Sequence, residues 1–294
     1  MFRVGILGSE NSHAMAFAQI FNGFNAEFKG EFDDIEVVGT FGVDNASNQA
    51  LLDKAGVRFI ADKPEDLLGK VDAVMITARD GKYHAPYARP FIEAGIPCFI
   101  DKPFTSSSEE AVELIRLAKA RKVPLVGGSL LKIADGTVKM AEAFEENKAS
   151  VIGGDVTAPV SLQNDYGDFW FYSAHLAETV LRVFGKPEWI WANQTPNGVT
   201  CVAHYPDFDV TNHYTEGTYV YHGTLNLKGA APLDFPIGLD DGYLYEMRSF
   251  ASMLREGKME FSYEELAAPV FYIEAILESL RTGEKAEVKE IKLD

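Results

Sequence analysis

The first 130 residues alternate short apolar runs with segments of helical apolar spacing, and this alternation constrains the fold most. The runs predicted as strands are residues 4–7, 35–43, 71–77, 97–100 and 123–126. Strands that alternate with helices form a parallel sheet with right-handed crossovers. We therefore expect a doubly wound α/β domain over residues 1–126.

After residue 127 the pattern changes to segments rich in Thr, Val and Tyr, punctuated by Pro, Gly and Asn. An amphipathic helix is predicted first, over residues 136–147. The predicted strands that follow are residues 151–159, 189–194, 199–204 and 218–227, and the predicted helices are 174–183, 244–256 and 264–282. We expect an α+β domain with an open, mainly antiparallel sheet over residues 127–294.

Composition limits the partners. The 294 residues carry a formal net charge of −17, which repels a nucleic-acid backbone and an anionic membrane surface. No apolar run approaches the roughly 20 residues that cross a bilayer, and no secretory leader pattern is present. Cys98 and Cys201 are far apart and fit neither a disulfide framework nor a metal spacing, so a reducing cytoplasm is expected.

The turn after the first strand, residues 8–13 with the sequence GSENSH, stands where a Rossmann domain binds a pyrophosphate. Only the first glycine of G-x-G-x-x-G is present, because Glu10 and His13 occupy the other two positions. A carboxylate beside a pyrophosphate is unfavourable unless it turns outward. The candidate pyrophosphate contacts are Gly8, Ser9, Asn11, Ser12 and His13. The alternative is an ordinary strand–helix turn capped by Asn11 or Ser12.

Asp44 and Asn45 follow the second predicted strand. A carboxylate at this place accepts hydrogen bonds from the ribose of NAD and repels the 2′-phosphate of NADP. Asp44 lies farther along than the usual spacing of about 20 residues, which an inserted loop over residues 22–34 explains. No basic residue follows it, so NAD is favoured over NADP. The alternative is that Asp44 caps the next helix.

The sharpest chemical signal is Asp101-Lys102-Pro103, directly after a predicted strand. A lysine fixed at a strand end can lie over a cofactor ring and exchange a proton with a substrate hydroxyl. Pro103 restricts the backbone so that Lys102 points into the crevice, and a cis bond is one way to do so. The alternative is a surface lysine in a turn.

These segments resemble the glucose–fructose oxidoreductase/inositol dehydrogenase (Gfo/Idh/MocA) family over nearly the whole chain. Asp101-Lys102-Pro103 is similar to the Glu-Lys-Pro motif of that family, and residues 4–8, 43–44, 71–77 and 250–282 also match its pattern. The resemblance implies a nicotinamide cofactor, with Asn45, Thr77 and Lys102 among its contacts. It also implies a sugar or polyol substrate and a homodimer or homotetramer that packs through the C-terminal sheet.

The family usually carries Asp-x-x-x-His-x-x-Asp at the start of a helix that faces the nicotinamide. Here His175 matches the histidine and Glu178 the later acid, whereas Phe171 occupies the first acid position. The resemblance implies that His175 acts as a base or holds the substrate. The side chains that could replace the missing acid are Tyr172, Asp168 and Asp165. A neighbouring ammonium lowers the pKa of a tyrosine, but Tyr172 and Phe171 fit equally well as wall residues.

Arg79 and His84 lie at the predicted ligand rim, after the strand that ends near Thr77. Arg79 could reach an anionic substrate, the cofactor phosphates or an exposed acid. The candidate catalytic residues are Lys102, His175 and Tyr172, and the candidate substrate contacts are Arg79, His84, Asp168, Tyr172 and His175. Scattered histidines in the second half have no regular spacing, so no metal site is predicted.

The sequence predicts an NAD-dependent oxidoreductase that acts on a sugar, a polyol or a derivative by hydride transfer. Glu10, His13 and Phe171 keep a second interpretation open, a lyase, epimerase or hydrolase that recycles a bound nicotinamide. A third is a regulator that binds a sugar without chemistry. Likeness of fold alone does not choose among these, because function depends on the site.

Overall fold

The computed structural model describes residues 1–25, 28, 30–239 and 242–293. The first sheet has six parallel strands: β1 (Phe2–Leu7), β2 (Ile35–Phe41), β3 (Phe59–Ile60), β4 (Ala73–Ile76), β5 (Cys98–Asp101) and β6 (Leu125–Gly128). Their order is β3-β2-β1-β4-β5-β6. The order reverses between β1 and β4, and such a reversal opens a crevice at the carboxyl ends of the strands.

Four helices of the first half cover both faces of this sheet: α1 (Ser12–Phe21), α2 (Asn45–Ala55), α3 (His84–Glu93) and α4 (Ser108–Arg121). Successive strand residues point to opposite faces. Met75 packs in one apolar cluster with α1 and α2, and Ile76 packs in another with α3 and α4. The sheet is therefore buried on both faces, as the apolar runs predict.

The second sheet has seven strands: β7 (Val151–Val160), β8 (Trp189–Thr195), β9 (Gly198–His204), β10 (Asp209–Glu216), β11 (His222–Leu227), β12 (Leu233–Pro236) and β13 (Ala286–Glu287). Their order is β12-β11-β7-β10-β9-β8-β13. Within this second sheet, only the pairing of β10 with β7 is parallel among the described strands. The predicted fold class, a doubly wound domain followed by a mainly antiparallel sheet, is confirmed.

Two details of the second sheet differ from the prediction. The strand predicted over residues 218–227 begins only at His222, because a turn with Gly217 at φ 72° precedes it and leaves Tyr219 exposed. The strand β10 was not predicted. Its inward positions include Asn212, which interrupts the apolar alternation although its side-chain nitrogen is satisfied by Tyr272 Oη at 2.7 Å.

The remaining helices are α5 (Asp135–Asn147), α6 (Trp170–Phe184), α7 (Gly242–Glu256) and α8 (Tyr263–Thr282). Helix α6 begins four residues before its predicted start, so it includes Phe171 and Tyr172. Helix α8 is the longest, with 20 residues. Among the described residues, no helix combines the length and apolar character needed to cross a membrane.

Helix α7 returns from the second half of the chain to the first sheet. Phe250 is fully buried and packs against Phe21 and Phe99. Arg255 adds an exposed ion pair with Asp34, with Nε 2.8 Å from the carboxylate. Strand β6 also continues to Gly128, past the predicted boundary at residue 126. Residues from both predicted domains therefore share one core beside the crevice.

Candidate active site

The carboxyl edge of the first sheet collects the strongest chemical candidates. Lys102 follows β5, and its Nζ lies 3.5 Å from the carbonyl oxygen of Phe171 at the start of α6. The same Nζ is 5.0 Å from the ring centre of Phe171 and 5.6 Å from that of Tyr172. The structure therefore brings Lys102 and Tyr172 together in the crevice between the first sheet and α6.

Asp101, at the end of β5, is fully buried behind Lys102. Its carboxylate accepts hydrogen bonds from the backbone N–H of Lys102 at 2.7 Å and from Asn11 Nδ2 at 3.3 Å, and lies 2.6 Å from His13 Nδ1. Burial alone would raise the pKa of Asp101, but His13 and then Lys102 outweigh it and lower that pKa to about 2. Asp101 is therefore an ionised carboxylate. The Lys102–Pro103 peptide bond is cis.

The Lys102 ammonium is buried in this pocket. Burial lowers its pKa, because the low dielectric disfavours the charged form, while the carboxyl groups of Asp101 and Glu246 act in the opposite direction. The positive charge of Arg79 lowers it further. Because a lowered pKa increases the deprotonated fraction, Lys102 is better suited than an ordinary lysine to accept and return a proton.

His175, on α6, is buried beside Tyr172, with 5.7 Å between the two ring centres. Burial, followed by the charges of Lys102 and His13, lowers the pKa of His175 well below its ordinary value, so the ring is neutral. Its Nδ1 lies 2.6 Å from Ser129 Oγ, which also accepts from the backbone N–H of Leu131 at 3.1 Å. When the Ser129 hydroxyl donates to Nδ1, the proton of the neutral ring lies on Nε2.

The turn after β1 brings the backbone of β1 against that of β4. Gly8 has φ 105°, and a Cβ there would lie 2.1 Å from the backbone nitrogen of Ala78, so only glycine fits. Ser9 is buried, and its hydroxyl has no hydrogen-bond partner among the described residues. Asn11 caps α1 by accepting from the backbone N–H of His13 at 3.2 Å. Ser12 is exposed on the first turn of α1.

His13 and Glu10, the two departures from the glycine pattern, both turn away from the N-terminus of α1. His13, predicted as a pyrophosphate contact, instead directs Nδ1 at Asp101, and its ring packs edge-on against Tyr243 at 4.9 Å. Glu10 directs one carboxylate oxygen at the backbone N–H of Arg79, 3.4 Å away. Neither side chain therefore occupies the place where an anion meets the free N–H groups of a helix.

His84 and Thr77 connect the loops of the crevice. His84 is fully buried, with Nδ1 2.6 Å from the carbonyl oxygen of Pro103 and Nε2 2.8 Å from that of Ala78. Both ring nitrogens are engaged, so His84 holds the Lys102–Pro103 turn against the loop after β4 and offers none to a substrate. Thr77 donates from Oγ1 to the carbonyl oxygen of Gly8 at 3.0 Å.

The structure places the other predicted residues at the margins. Asp44 is exposed and caps α2 by accepting from the backbone N–H of Ser47 at 2.9 Å, and Asn45 is the exposed first residue of that helix. Asp168 is exposed, and its Oδ1 accepts from the backbone N–H of Asn164 at 3.0 Å. That bond closes the loop before α6. Asp168 therefore does not supply the carboxylate that is missing at position 171.

With this geometry in place, comparison with known proteins is informative. Residues 2–128 match the GFO_IDH_MocA model, described as an oxidoreductase family with an NAD-binding Rossmann fold. Over these residues the chain is similar to that oxidoreductase family. The likeness proposed from Asp101-Lys102-Pro103 and the strand pattern is thus confirmed.

Curated relatives match only parts of this chain. Inositol 2-dehydrogenase of Corynebacterium glutamicum is 26% identical over 124 residues, which cover 41% of this chain and 35% of that protein. UDP-N-acetylglucosamine 3-dehydrogenase of Acidithiobacillus ferrooxidans is 39% identical over 67 residues, which cover 23% and 21%. The match therefore spans about a third of the first relative's length and about a fifth of the second's.

Solved structures of dehydrogenases extend the likeness in fold to both sheets. Myo-inositol 2-dehydrogenase from Lactobacillus plantarum superposes with a TM-score of 0.84 at 12% identity and covers 98% of this chain and 99% of its own. Scyllo-inositol dehydrogenase from Lactobacillus casei, with bound NAD(H) and scyllo-inositol, gives a TM-score of 0.82 at 13% identity, with 98% and 99% covered. At these identities the likeness shows the fold.

Beyond residue 128, a buried ion pair lies beside the loop that contacts His175. Glu178 accepts a hydrogen bond from the backbone N–H of Ser129 at 2.7 Å and lies 3.2 Å from Lys132 Nζ. Burial raises the pKa of Glu178, while Lys132 opposes that rise. Glu178 therefore holds the backbone of Ser129, whose hydroxyl contacts His175. Lys132 was not predicted from the sequence.

Glu246, on α7, is the other group that sequence reasoning missed. It is buried, and neither carboxyl oxygen has a hydrogen-bond partner among the described residues. Burial first, and then the negative charge of Asp101, raises the pKa of Glu246 well above its ordinary value. The sequence contained a signal for the burial of Glu246. It lies on the same face of the helix as Met247 and Phe250, whose apolar spacing is typical of a core-facing surface.

Replacing Glu246 by Gln should raise the melting temperature near neutral pH. An acid whose pKa is higher in the folded state costs stability as pH rises above its unfolded pKa, here near 4.5. The gain of Glu246→Gln should therefore shrink as pH falls to that value and vanish below it. Thermal unfolding across this pH range checks the slope, and a gain that does not depend on pH would contradict the assignment.

Proposed function

We propose that this protein is an NAD-dependent oxidoreductase that transfers a hydride between the cofactor and a hydroxyl-bearing carbon of a sugar, a polyol or a derivative. One observation carries the proposal: Lys102, with a lowered pKa, faces Tyr172 and the α6 helix that bears neutral His175, at the crevice of a nucleotide-binding fold. The dehydrogenases named among the relatives act on the same type of carbon.

The residues around the turn after β1 fit a dinucleotide. The buried Ser9 hydroxyl has no hydrogen-bond partner among the described residues, so it is available to a pyrophosphate oxygen. The N-terminus of α1 follows directly, and helix N-termini favour anions. Asp44 would accept hydrogen bonds from the hydroxyl groups of the adenosine ribose. Asn45 and Thr77 would be further contacts of the cofactor. When bound, NAD supplies the hydride acceptor.

In the proposed reaction, Lys102 in its deprotonated form accepts the proton of the substrate hydroxyl as the carbon loses its hydride, and the lowered pKa of Lys102 favours that form. His175 donates from Nε2–H to the substrate oxygen, since Ser129 holds Nδ1. Tyr172 has a pKa raised mainly by burial, so it stays protonated and serves as a hydrogen-bond donor and wall. Asp101 remains ionised and holds Lys102 in the crevice. The test is the appearance of NADH absorbance when NAD and a panel of polyols and sugars are supplied.

Cofactor choice gives a separate prediction. Asp44→Ser should weaken NADH binding about tenfold and raise the ratio of NADPH to NADH affinity, because a carboxylate favours the ribose hydroxyls and repels a 2′-phosphate. Serine keeps the cap of α2, so the helix is not the variable. Calorimetric titration with both cofactors measures the ratio. An unchanged ratio would remove Asp44 from the adenosine site.

Phe171 supports a second candidate, a lyase, epimerase or hydrolase that recycles a bound nicotinamide. An apolar ring stands where a related dehydrogenase pattern has a carboxylate, so Lys102 has one counter-charge fewer on α6. Tightly retained NAD with product formation but no net change in absorbance would favour this candidate over net oxidation.

Self-association through the second sheet stays a prediction. Its outer face carries Trp191, 42% exposed on β8, and Ile152, 56% exposed on β7. Exposed apolar side chains on an uncovered sheet face are typical of an interface between subunits. They support the expected homodimer or homotetramer.

A further inference from the structure

A second cation lies on the same wall of the crevice as Lys102. Arg79, in the loop after β4, donates from a terminal nitrogen to Tyr166 Oη at 2.9 Å, and its guanidinium carbon is 4.9 Å from the centre of that ring. Tyr166 packs against Phe171 with 5.2 Å between ring centres, and Lys102 lies over the other ring of this pair. The two cations are therefore joined by continuous contact through Tyr166 and Phe171.

Arg79 has no acidic partner in the described part of the chain. No carboxylate oxygen of residues 1–25, 28, 30–239 or 242–293 lies within 4.0 Å of its guanidinium. Glu10 contacts only the backbone N–H of Arg79, at 3.4 Å. Asp80 is paired with Lys82 at 2.6 Å, and Asp101 with His13 at 2.6 Å. The charge of Arg79 is thus left for a ligand.

The orientation of Arg79 favours the substrate over the cofactor. Its side chain bonds to Tyr166, in the loop before the helix that carries Tyr172 and His175. The bond to Tyr166 uses one terminal nitrogen. The remaining guanidinium donors form a planar fork that suits the paired oxygens of a carboxylate or a phosphate.

We propose that Arg79 is an anion subsite of the crevice and that the substrate is an acidic sugar or polyol, with a carboxylate or a phosphate group. Arg79 binds the anionic group, Phe171 lies between the two cations without adding charge, and Lys102 meets the reacting hydroxyl. The inference rests on the proposed function in that it takes the crevice as the substrate site. It explains why two cations converge in a chain whose net charge is −17.

Binding without turnover tests this directly. Thermal shift and calorimetry, with NADH present, would compare matched sets of a neutral sugar, its uronic acid and its phosphate ester, together with a polyol and its aldonic acid. The wild type should bind acidic members of at least one set more tightly than the neutral member. Arg79→Gln should weaken the acidic members by about tenfold to a hundredfold and leave the neutral members unchanged, and Arg79→Lys should lose less.

Lys82→Gln is the matched control. It removes one positive charge from the same loop, but Lys82 is exposed and paired with Asp80, so the preference for acids should remain. Equal or tighter binding of neutral members, no binding of any acidic member at millimolar concentration, or a preference that survives Arg79→Gln would overturn the subsite. Uronic acids and phosphate esters are tested separately, so the class that binds more tightly identifies the anionic group of the substrate. A preference for acids that depends on Arg79, without any NADH formation, would uphold the subsite and contradict the redox proposal.

Discussion

Replacing Lys102 by Met should lower kcat by about two to four orders of magnitude while the protein still folds and binds NADH. Methionine keeps the length and apolar stem of the side chain and removes the group that exchanges the substrate proton. Because burial lowers the pKa of Lys102, oxidation by the wild type should become faster with rising pH at values below 10.5, the ordinary pKa of lysine. Initial rates of NADH formation across pH measure both effects.

The control for Lys102→Met is Lys82→Met, which alters an exposed lysine outside the crevice. Its kcat should equal that of the wild type. If Lys102→Met instead turned over at the wild-type rate, or lost rate with the same pH dependence as the wild type, Lys102 would have no part in moving the proton.

Replacing Asp101 by Ala should reduce the free energy of unfolding by about 3–5 kcal/mol, the usual cost of breaking a buried charge pair. The change leaves His13 without its partner at 2.6 Å and Lys102 buried without its adjacent counter-charge. Denaturant unfolding at neutral pH measures the loss. Asp72→Ala, which breaks an exposed pair with Arg3, should cost several times less.

Acid titration gives the sign of the Asp101 effect. The pKa of Asp101 is about 2 in the folded chain and near 3.8 when unfolded, so its stabilisation is present above pH 3.8 and is lost as pH falls through 2. The difference in stability between the wild type and Asp101→Ala should therefore shrink over that interval. A difference that stays constant from neutral pH to pH 2 would show that the carboxylate does not act through its charge.

The sequence predicted the structure best where a residue type in a given local pattern has few alternative structural roles. Apolar runs that alternate with helices predicted the first sheet, because strands that are buried on both faces consist of nearly continuous apolar residues. Lys102 was found because a lysine fixed between an acid and a proline at a strand end has few structural roles. Asn11 and Asp44 were each correctly offered as helix caps, which the hydrogen bonds confirm.

Long-range packing limited the rest. Helix α7 returns to the first sheet over more than a hundred residues of chain, and that return buries Glu246 near Lys102. His84 looked like a rim residue, but its two carbonyl partners come from separate loops. His13 occupies a position of the glycine motif that contacts phosphate, yet its ring pairs with Asp101, which lies 88 residues later in the chain. Such pairings depend on tertiary contacts that local spacing does not encode.

The most direct test of the central claim is titration of the wild-type protein with NADH, followed by intrinsic fluorescence and repeated with NADPH. We expect saturable binding of NADH and weaker binding of NADPH, because Asp44 favours the unphosphorylated ribose. Failure of both cofactors to bind at millimolar concentration would contradict the assignment of the crevice to nicotinamide chemistry.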